Sequence, residues 1–243
     1  FLPLTAMLKP DRSQWSEHVR RAGISALGQL GSPLAIEPLF QSYQSDPGAM
    51  FLEHAFIHAL IELNHPNELR RAMEKFPGTL TRRAGLIALS EMPASDLTAD
   101  DVLPHLLSQD AILREAAVFI STRHPEWADQ IAHHLTTTLS LPEPPAASDA
   151  IQDLLTRLIK APAIQMVIDT MLQSKSEWSL ATALSTIAAS GLKSPPTTWT
   201  TSLVKLLAQG PGIPSTRPLI LAATKSLLAH PNSREPLLPA LLG

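Results

Sequence analysis

The chain has 243 residues, a net charge of −3 and no cysteine. The slight excess of acidic over basic side chains leaves no global positive field to attract nucleic acid, and the missing cysteines exclude disulfides, thiol nucleophiles and thiolate metal sites from this chain. No uninterrupted apolar run approaches the roughly 18 residues that are needed to cross a bilayer.

Composition favours helices. Ala and Leu, both strong helix formers, supply most of the apolar residues, whereas the β-branched and aromatic residues typical of strands are fewer. The 22 prolines mostly fall between stretches of helical periodicity. Because a proline inside a helix costs roughly 3 kcal/mol, this spacing indicates many helices of three to four turns that are joined by short loops.

Four segments in the first half align without gaps, at residues 19–27, 52–60, 81–89 and 113–121. Their anchor residues Ala22, Ala55, Ala84 and Ala116 recur about every 30 residues, within the range of helical-hairpin repeats. In the first three segments the fourth and eighth positions are small and lie one turn apart on one helix face. Small residues there let a neighbouring helix approach closely, so these segments are predicted to be stacked inner helices.

Shorter amphipathic helices are predicted between the inner ones, over residues 33–43, 67–76, 99–108 and 127–139. Two of their starts carry cap signals. Ser32 precedes Pro33, which suits the first helical position, and Thr98 stands three residues before Asp101, close to a capping box.

The pattern continues more loosely downstream. Further helices are predicted over residues 149–160, 163–173, 178–190, 197–209, 215–229 and 234–242, with 178–190 and 215–229 as inner helices. The Pro-rich stretch 141–148 and the stretch 210–214 are predicted loops. The chain is therefore interpreted as one solenoid over residues 1–243, with regular repeats in 1–140 and divergent repeats in 149–243.

A single helical hairpin of this kind cannot bury its apolar face alone, whereas stacked hairpins form a continuous core. The sequence therefore predicts an all-α fold, a right-handed α-α superhelix of about five to seven helical hairpins.

Residues 19–31, with the sequence VRRAGISALGQLG, resemble the inner helix of a HEAT repeat of the phycobilisome-lyase type. In that family an arginine at the position of Arg20, which Arg82 and Arg114 also hold, often links adjacent repeats. Asp110 could serve Arg114. In the second segment Glu53 replaces the arginine, so the resemblance implies an interrupted ladder.

Residues 51–62 and 123–127 are similar to the helical-repeat segment of large planctomycete-type proteins. Those proteins combine a membrane-bound-dehydrogenase-like β-propeller, HEAT-like repeats and a c-type cytochrome domain, and the similarity covers roughly residues 15–140. The resemblance implies a segment of a larger periplasmic or cell-envelope protein, which agrees with a chain that starts at Phe1. Neither the propeller nor the haem motif is in this sequence, so no redox role falls on its residues.

The nine histidines are potential metal ligands. Glu17-His18 and Glu53-His54 are similar, in reversed order, to the His-Glu pairs of the HEAT-like deoxyhypusine hydroxylases, which use four such pairs to bind two irons. His54 and His58 have a two-point ligand spacing on one helix face, but no third ligand is identifiable. The sequence therefore predicts no metal and no cofactor.

Three basic doublets could line a concave groove and hold phosphates: Arg20-Arg21, Arg70-Arg71 and Arg82-Arg83. Acidic residues also occur at the matching inner-helix positions, at Glu53 and Glu115. We therefore expect solvated faces and pairs between repeats, and no nucleic-acid partner.

No catalytic residue is predicted, because the sequence has no nucleophile elbow, phosphate-binding glycine loop or zinc-protease motif. The expected function is a non-catalytic protein-interaction or scaffolding solenoid that contacts another domain of the same chain or another subunit. Two alternatives stay open: an accessory part of an exported redox protein, and a lyase-like chromophore-binding helper. The candidate partner or inter-repeat contacts are Arg20, Arg21, Arg82, Arg83, Arg114 and Trp127.

Overall fold

The computed structural model describes residues 5, 8, 16–45, 50–93, 95–138, 148–208 and 216–242. In these ranges every regular element is a helix, so the all-α class predicted from the sequence is confirmed. The α-helices are α1 (Glu17–Gln29), α2 (Ile36–Ser45), α3 (Met50–Leu63), α4 (Pro66–Lys75), α5 (Thr79–Glu91), α6 (Ala99–Val102), α7 (Ala111–Arg123), α8 (Ala128–Thr138), α9 (Ser148–Arg157), α10 (Pro162–Leu172), α11 (Glu177–Ala189), α12 (Thr197–Ala208), α13 (Arg217–Leu228) and α14 (Pro231–Leu242). Three 3-10 helices span Pro33–Ala35, Leu103–His105 and Pro125–Trp127.

Prolines begin several of these helices, because the first helical position has no intrahelical use for an N–H group. Pro66, Pro162 and Pro231 each start an α-helix. The last helix departs from the prediction that prolines fall between helices, since Pro236 and Pro239 both lie inside α14.

The helix predicted over residues 99–108 is not continuous. It consists of the one-turn α6 followed by a 3-10 turn that contains Pro104, whose missing N–H cannot continue the α-helical bonding. The predicted cap is present, since the Thr98 backbone N–H donates to Asp101 Oδ2 at 2.9 Å and the Thr98 hydroxyl lies 3.0 Å from the same oxygen. The helices predicted over residues 33–43 and 127–139 likewise have a 3-10 turn at their start, at Pro33–Ala35 and Pro125–Trp127.

The chain divides into two units, Phe1–Ile120 and Ser121–Gly243. In the first unit, alternate helices pack against each other in two rows. One row contains α1, α3 and α5, which are the first three predicted inner helices, and the other contains α2 and α4. An aromatic cluster lies between the rows, where the ring of Phe56 stacks on Tyr43 at 4.4 Å and meets Phe40 edge-on at 5.2 Å.

Small residues allow close packing within the first row. Ala59 and Ala84 are fully buried, and a Cβ atom built on Gly28 of α1 would lie only 2.7 Å from the Cα atom of Ala59 on α3. Helices α1 and α3 can therefore touch backbone to backbone. The sequence pattern predicts the same packing role for Ala22. This prediction is wrong, because Ala22 is exposed on α1.

The second unit repeats the two-row arrangement. One row contains α9, α11 and α13, and the other contains α8, α10, α12 and α14. Helices α11 and α13 are the predicted inner helices, and α9 shares their row although the sequence did not single it out. Of the two predicted loops, residues 141–147 and 210–214 lie outside the described residues, and Ser148 begins α9.

Side-chain contacts between successive hairpins join residues 26 to 38 positions apart in the first unit and 33 to 34 positions apart in the second. These separations match the repeat length that the aligned segments predict. Within each unit the arrangement is thus a set of packed helical neighbours, in which helices of one row contact each other. Among the described helices, none is both long enough and apolar enough to span a bilayer.

Candidate functional site

The predicted contact residues occupy different environments. Arg20 is buried within α1, and its neighbour Arg21 is exposed. On α5, Arg82 and Arg83 are both half-buried. The doublet on α1 therefore presents only Arg21 to solvent, whereas both arginines of the doublet on α5 are partly accessible.

Arg83 forms an ion pair with Glu53, which joins α5 to α3. The side chains are 26% and 18% exposed, so the pair is partly shielded from solvent. The sequence interpretation treated Glu53 as a gap in an arginine ladder, whereas the structure shows it as the acidic partner of Arg83. The aligned segments already contained this information. Glu53 is at the second position of the segment 52–60, and Arg83 is at the third position of the segment 81–89, so their opposite charges lie on neighbouring helices of one row.

Arg114 contacts a backbone oxygen rather than a carboxylate. Its Nη1 atom donates to the carbonyl oxygen of Ser108 at 2.6 Å. The expected partner, Asp110, accepts the backbone N–H groups of Ile112 and Leu113 at 2.9 and 3.1 Å. Asp110 therefore caps the start of α7, where unpaired N–H groups and the helix dipole both favour a negative charge. The predicted contact between the side chains of Asp110 and Arg114 is not formed, so this prediction is wrong.

Arg82 influences a histidine in the 3-10 turn after α6. Burial, and then the positive charge of Arg82, lower the pKa of His105. Both effects disfavour the imidazolium, because burial removes its hydration and Arg82 repels it. His105 is therefore a neutral imidazole at neutral pH.

The first arginine of the doublet on α4 is also engaged with acidic groups. Arg70 Nη1 lies 2.6 Å from Asp101 Oδ1, and Arg70 Nη2 lies 3.2 Å from Asp96 Oδ1. Burial opposes the charge of Arg70, but the hydrogen bonds to Asp101 and Asp96 outweigh it and raise the pKa. Arg70 and Arg83 thus already have carboxylate partners, which leaves them less available to phosphates. Sequence reasoning missed these acids because they lie on other hairpins.

Trp127 is only 7% exposed. Its ring is stacked on the imidazole of His124 with the ring centroids 4.0 Å apart, and His124 Nδ1 lies 2.6 Å from Glu126 Oε1. The hydrogen bond from His124 lowers the pKa of Glu126. A partner at this point would meet His124 and Glu126 before the indole. Of the other tryptophans, Trp199 is fully buried, and Trp15 lies outside the described residues.

The last two helices expose large apolar side chains. Leu221 on α13 and Leu238 and Leu242 on α14 are 47%, 44% and 87% exposed, and the two helices pack against each other. We call these three residues the leucine surface. Lys225 and Glu235 are exposed on the same helices, so charged groups accompany the apolar ones. Sequence reasoning missed this surface, because the periodicity of a helix does not tell which apolar face a neighbour covers.

Among the described residues, no group of three or more His, Asp or Glu side chains is arranged to hold a metal ion. No family model and no curated protein matches this chain. The HEAT-type resemblance therefore stays a prediction.

Proposed function

We propose that the chain is a non-catalytic protein-interaction or scaffolding element with the HEAT-like architecture expected from its sequence. The observation that carries the proposal is the leucine surface. These leucines forfeit part of the roughly 1.5–3 kcal/mol that full burial of each would contribute, and exposed apolar surface with charged neighbours is typical of interaction sites. A partner that covers Leu221, Leu238 and Leu242 would recover that free energy.

A right-handed superhelix of about five to seven hairpins is part of this proposal. Two observations support it: alternate helices pack in rows within each unit, and contacts between hairpins recur at separations of 26 to 38 residues. Repeat stacks of this kind present extended surfaces to their partners, which suits scaffolding.

The proposed partner is a protein, either another domain of the same chain or another subunit. The charge balance supports this choice, since the net charge is −3 and Arg70 and Arg83 are paired with acidic groups. Nucleic acid would need Lys and Arg concentrated along one surface to neutralise phosphates.

The test compares two variants with the original chain in affinity capture, followed by cross-linking and mass spectrometry. The first replaces Leu221, Leu238 and Leu242 by Ser, and the matched control replaces Leu30 and Leu34, which are exposed in the other unit. We expect one stoichiometric partner that the control retains, that the triple variant loses, and whose cross-links fall on α13 and α14. Loss of the partner from the control alone, or no stoichiometric partner for the original chain, would refute the role of this surface.

A further inference from the structure

Two histidines on α3 lie one helical turn apart on an exposed face. His54 and His58 are the only histidines in the sequence that are separated by four residues. Both are exposed, and the side chain of His58 retains 68% of its accessible surface. At this spacing the Cβ atoms of two helical residues are about 5–6 Å apart, which lets both imidazoles reach one point above the helix.

Glu62 lies beside the second imidazole. Its Oε2 atom lies 3.5 Å from Nδ1 of His58, one further turn along α3. A carboxylate beside Nδ1 favours the tautomer with the proton on that nitrogen, which leaves the lone pair of Nε2 free for a ligand. Metal-binding histidines are typically held in this way by a carboxylate.

Glu62 lies beside the neighbouring helix. A Cβ atom built on Gly28 of α1 would lie 2.7 Å from Glu62 Oε2, so the carboxylate is next to the glycine. Because residue 28 has no side chain, α1 leaves room for the carboxylate in this position.

We propose that His54 and His58 form a two-histidine site for a divalent transition metal that prefers imidazole: Cu²⁺, Ni²⁺ or Zn²⁺. The Nε2 atom of His58 and one ring nitrogen of His54 are the protein ligands, water fills the other positions, and Glu62 positions His58 without binding the metal. A site with two protein ligands differs from the closed four-ligand sites that hold structural zinc. It is accordingly a surface site that exchanges with solvent.

The experiment is calorimetric titration of the tag-free, chelator-treated chain with CuCl₂, NiCl₂, ZnCl₂ and MgCl₂ in separate runs. One site is expected, with Cu²⁺ bound more tightly than Ni²⁺ or Zn²⁺ and no heat from Mg²⁺, which prefers oxygen ligands. His54→Ala and His58→Ala should each weaken Ni²⁺ binding by at least about tenfold, since removal of even an outer-shell partner typically costs 10–100-fold in metal affinity. The matched control is His18→Ala, because His18 is also exposed but has no histidine one turn away.

The Glu62→Gln variant tests whether Glu62 positions His58 or binds the metal itself. It should weaken Ni²⁺ binding less than either histidine variant does, while the electron paramagnetic resonance spectrum of the Cu²⁺ complex still shows two nitrogen ligands. Circular dichroism verifies that each variant keeps its helices, which is expected at exposed positions. Unchanged Ni²⁺ affinity in both alanine variants, or loss of binding in His18→Ala instead, would overturn the proposal.

Discussion

The two units stack helices in the same way, and the polar contacts that join their hairpins include charged pairs in the first unit and neutral pairs in the second. In residues 16–120, three charged pairs join neighbouring hairpins: Arg83 with Glu53, Arg70 with Asp101, and Lys75 with Glu37. In residues 121–242, two contacts between hairpins join neutral groups. The hydroxyl of Thr200 donates to that of Ser233 at 3.0 Å, and the indole of Trp199 donates to the carbonyl oxygen of Gln165 at 3.4 Å.

This difference follows from where the polar groups lie. Exposed and partly exposed charges are screened by salt and each pair stabilises by about 0–1 kcal/mol, whereas a buried hydroxyl pair is little affected by ions. Loss of the hydrogen bond between the two hydroxyls should also cost more stability than loss of a charged pair, because an unpaired buried hydroxyl loses its hydration without compensation. The apolar core should contribute most of the stability of both units. The units should differ in how strongly salt affects the polar contacts named above.

The largest expected effect comes from the aromatic cluster of the first unit. Phe56→Ala removes a fully buried ring that contacts Tyr43 and Phe40, and should lower the free energy of unfolding by about 3–5 kcal/mol. Urea denaturation measures it. Leu34→Ala, at an exposed position, should change the free energy by less than about 0.5 kcal/mol. A small loss for Phe56→Ala would mean that the cluster is not the core of this unit.

Two glycines test the backbone contact between inner helices. Gly28→Ala places a methyl group against the Cα atom of Ala59, which cannot move without separating α1 from α3, and should cost about 1–3 kcal/mol. Gly85→Ala gains the same helix propensity but meets the flexible side chain of Met73. It should cost less in the same urea experiment. Equal effects would show that α1 and α3 are not in close contact at Gly28.

The hydroxyl pair of the second unit gives the next effect. Thr200→Val leaves the buried Ser233 hydroxyl without its donor and should destabilise by about 1–3 kcal/mol, with no dependence on salt. The double variant with Ser233→Ala should lose less than the sum of the single changes, since both polar groups are then gone. Additive losses in thermal or urea unfolding would show that the two hydroxyls do not interact.

The smallest effect is expected for a charged pair in the first unit. Burial works against ionisation of Asp101, but hydrogen bonds from Thr98 and Arg70 outweigh it and lower the pKa. The ionised group therefore stabilises the fold above the unfolded-state pKa near about 4, and this stabilisation disappears as the pH falls through the lower folded-state value.

Asp101→Asn should accordingly cost about 1 kcal/mol at pH 7, less in high salt, and progressively less below about pH 4. Urea denaturation of both proteins across this pH range measures the difference. Glu37→Gln is the control, because its partner Lys75 is well exposed and the pair should contribute less. A difference that stays constant between pH 7 and pH 3 would contradict the assigned role of the Asp101 charge.

The sequence predicted helix positions better than side-chain partners. Helical periodicity located α1, α3 and α5 to within a few residues, because apolar spacing and proline reflect local geometry. It could not show that Glu53 pairs with Arg83 or that Asp101 pairs with Arg70, since these partners are about 30 residues apart and meet only through stacking. It also paired Asp110 with Arg114, because side-chain spacing alone does not show that the nearer backbone N–H groups at the start of α7 bind that carboxylate.

The sequence by itself determined that this protein is all-helical, where most of its helices begin and end, and that they recur at about the repeat length of helical hairpins. These properties depend on backbone propensity, capping and the period of the apolar residues, all of which act over a few neighbouring positions. Only the tertiary structure decided that Ala22 is exposed while Ala59 is buried, that Trp127 is covered by His124, and that Leu242 faces solvent. Burial depends on which helix lies alongside, and that is set by contacts between residues far apart in the chain.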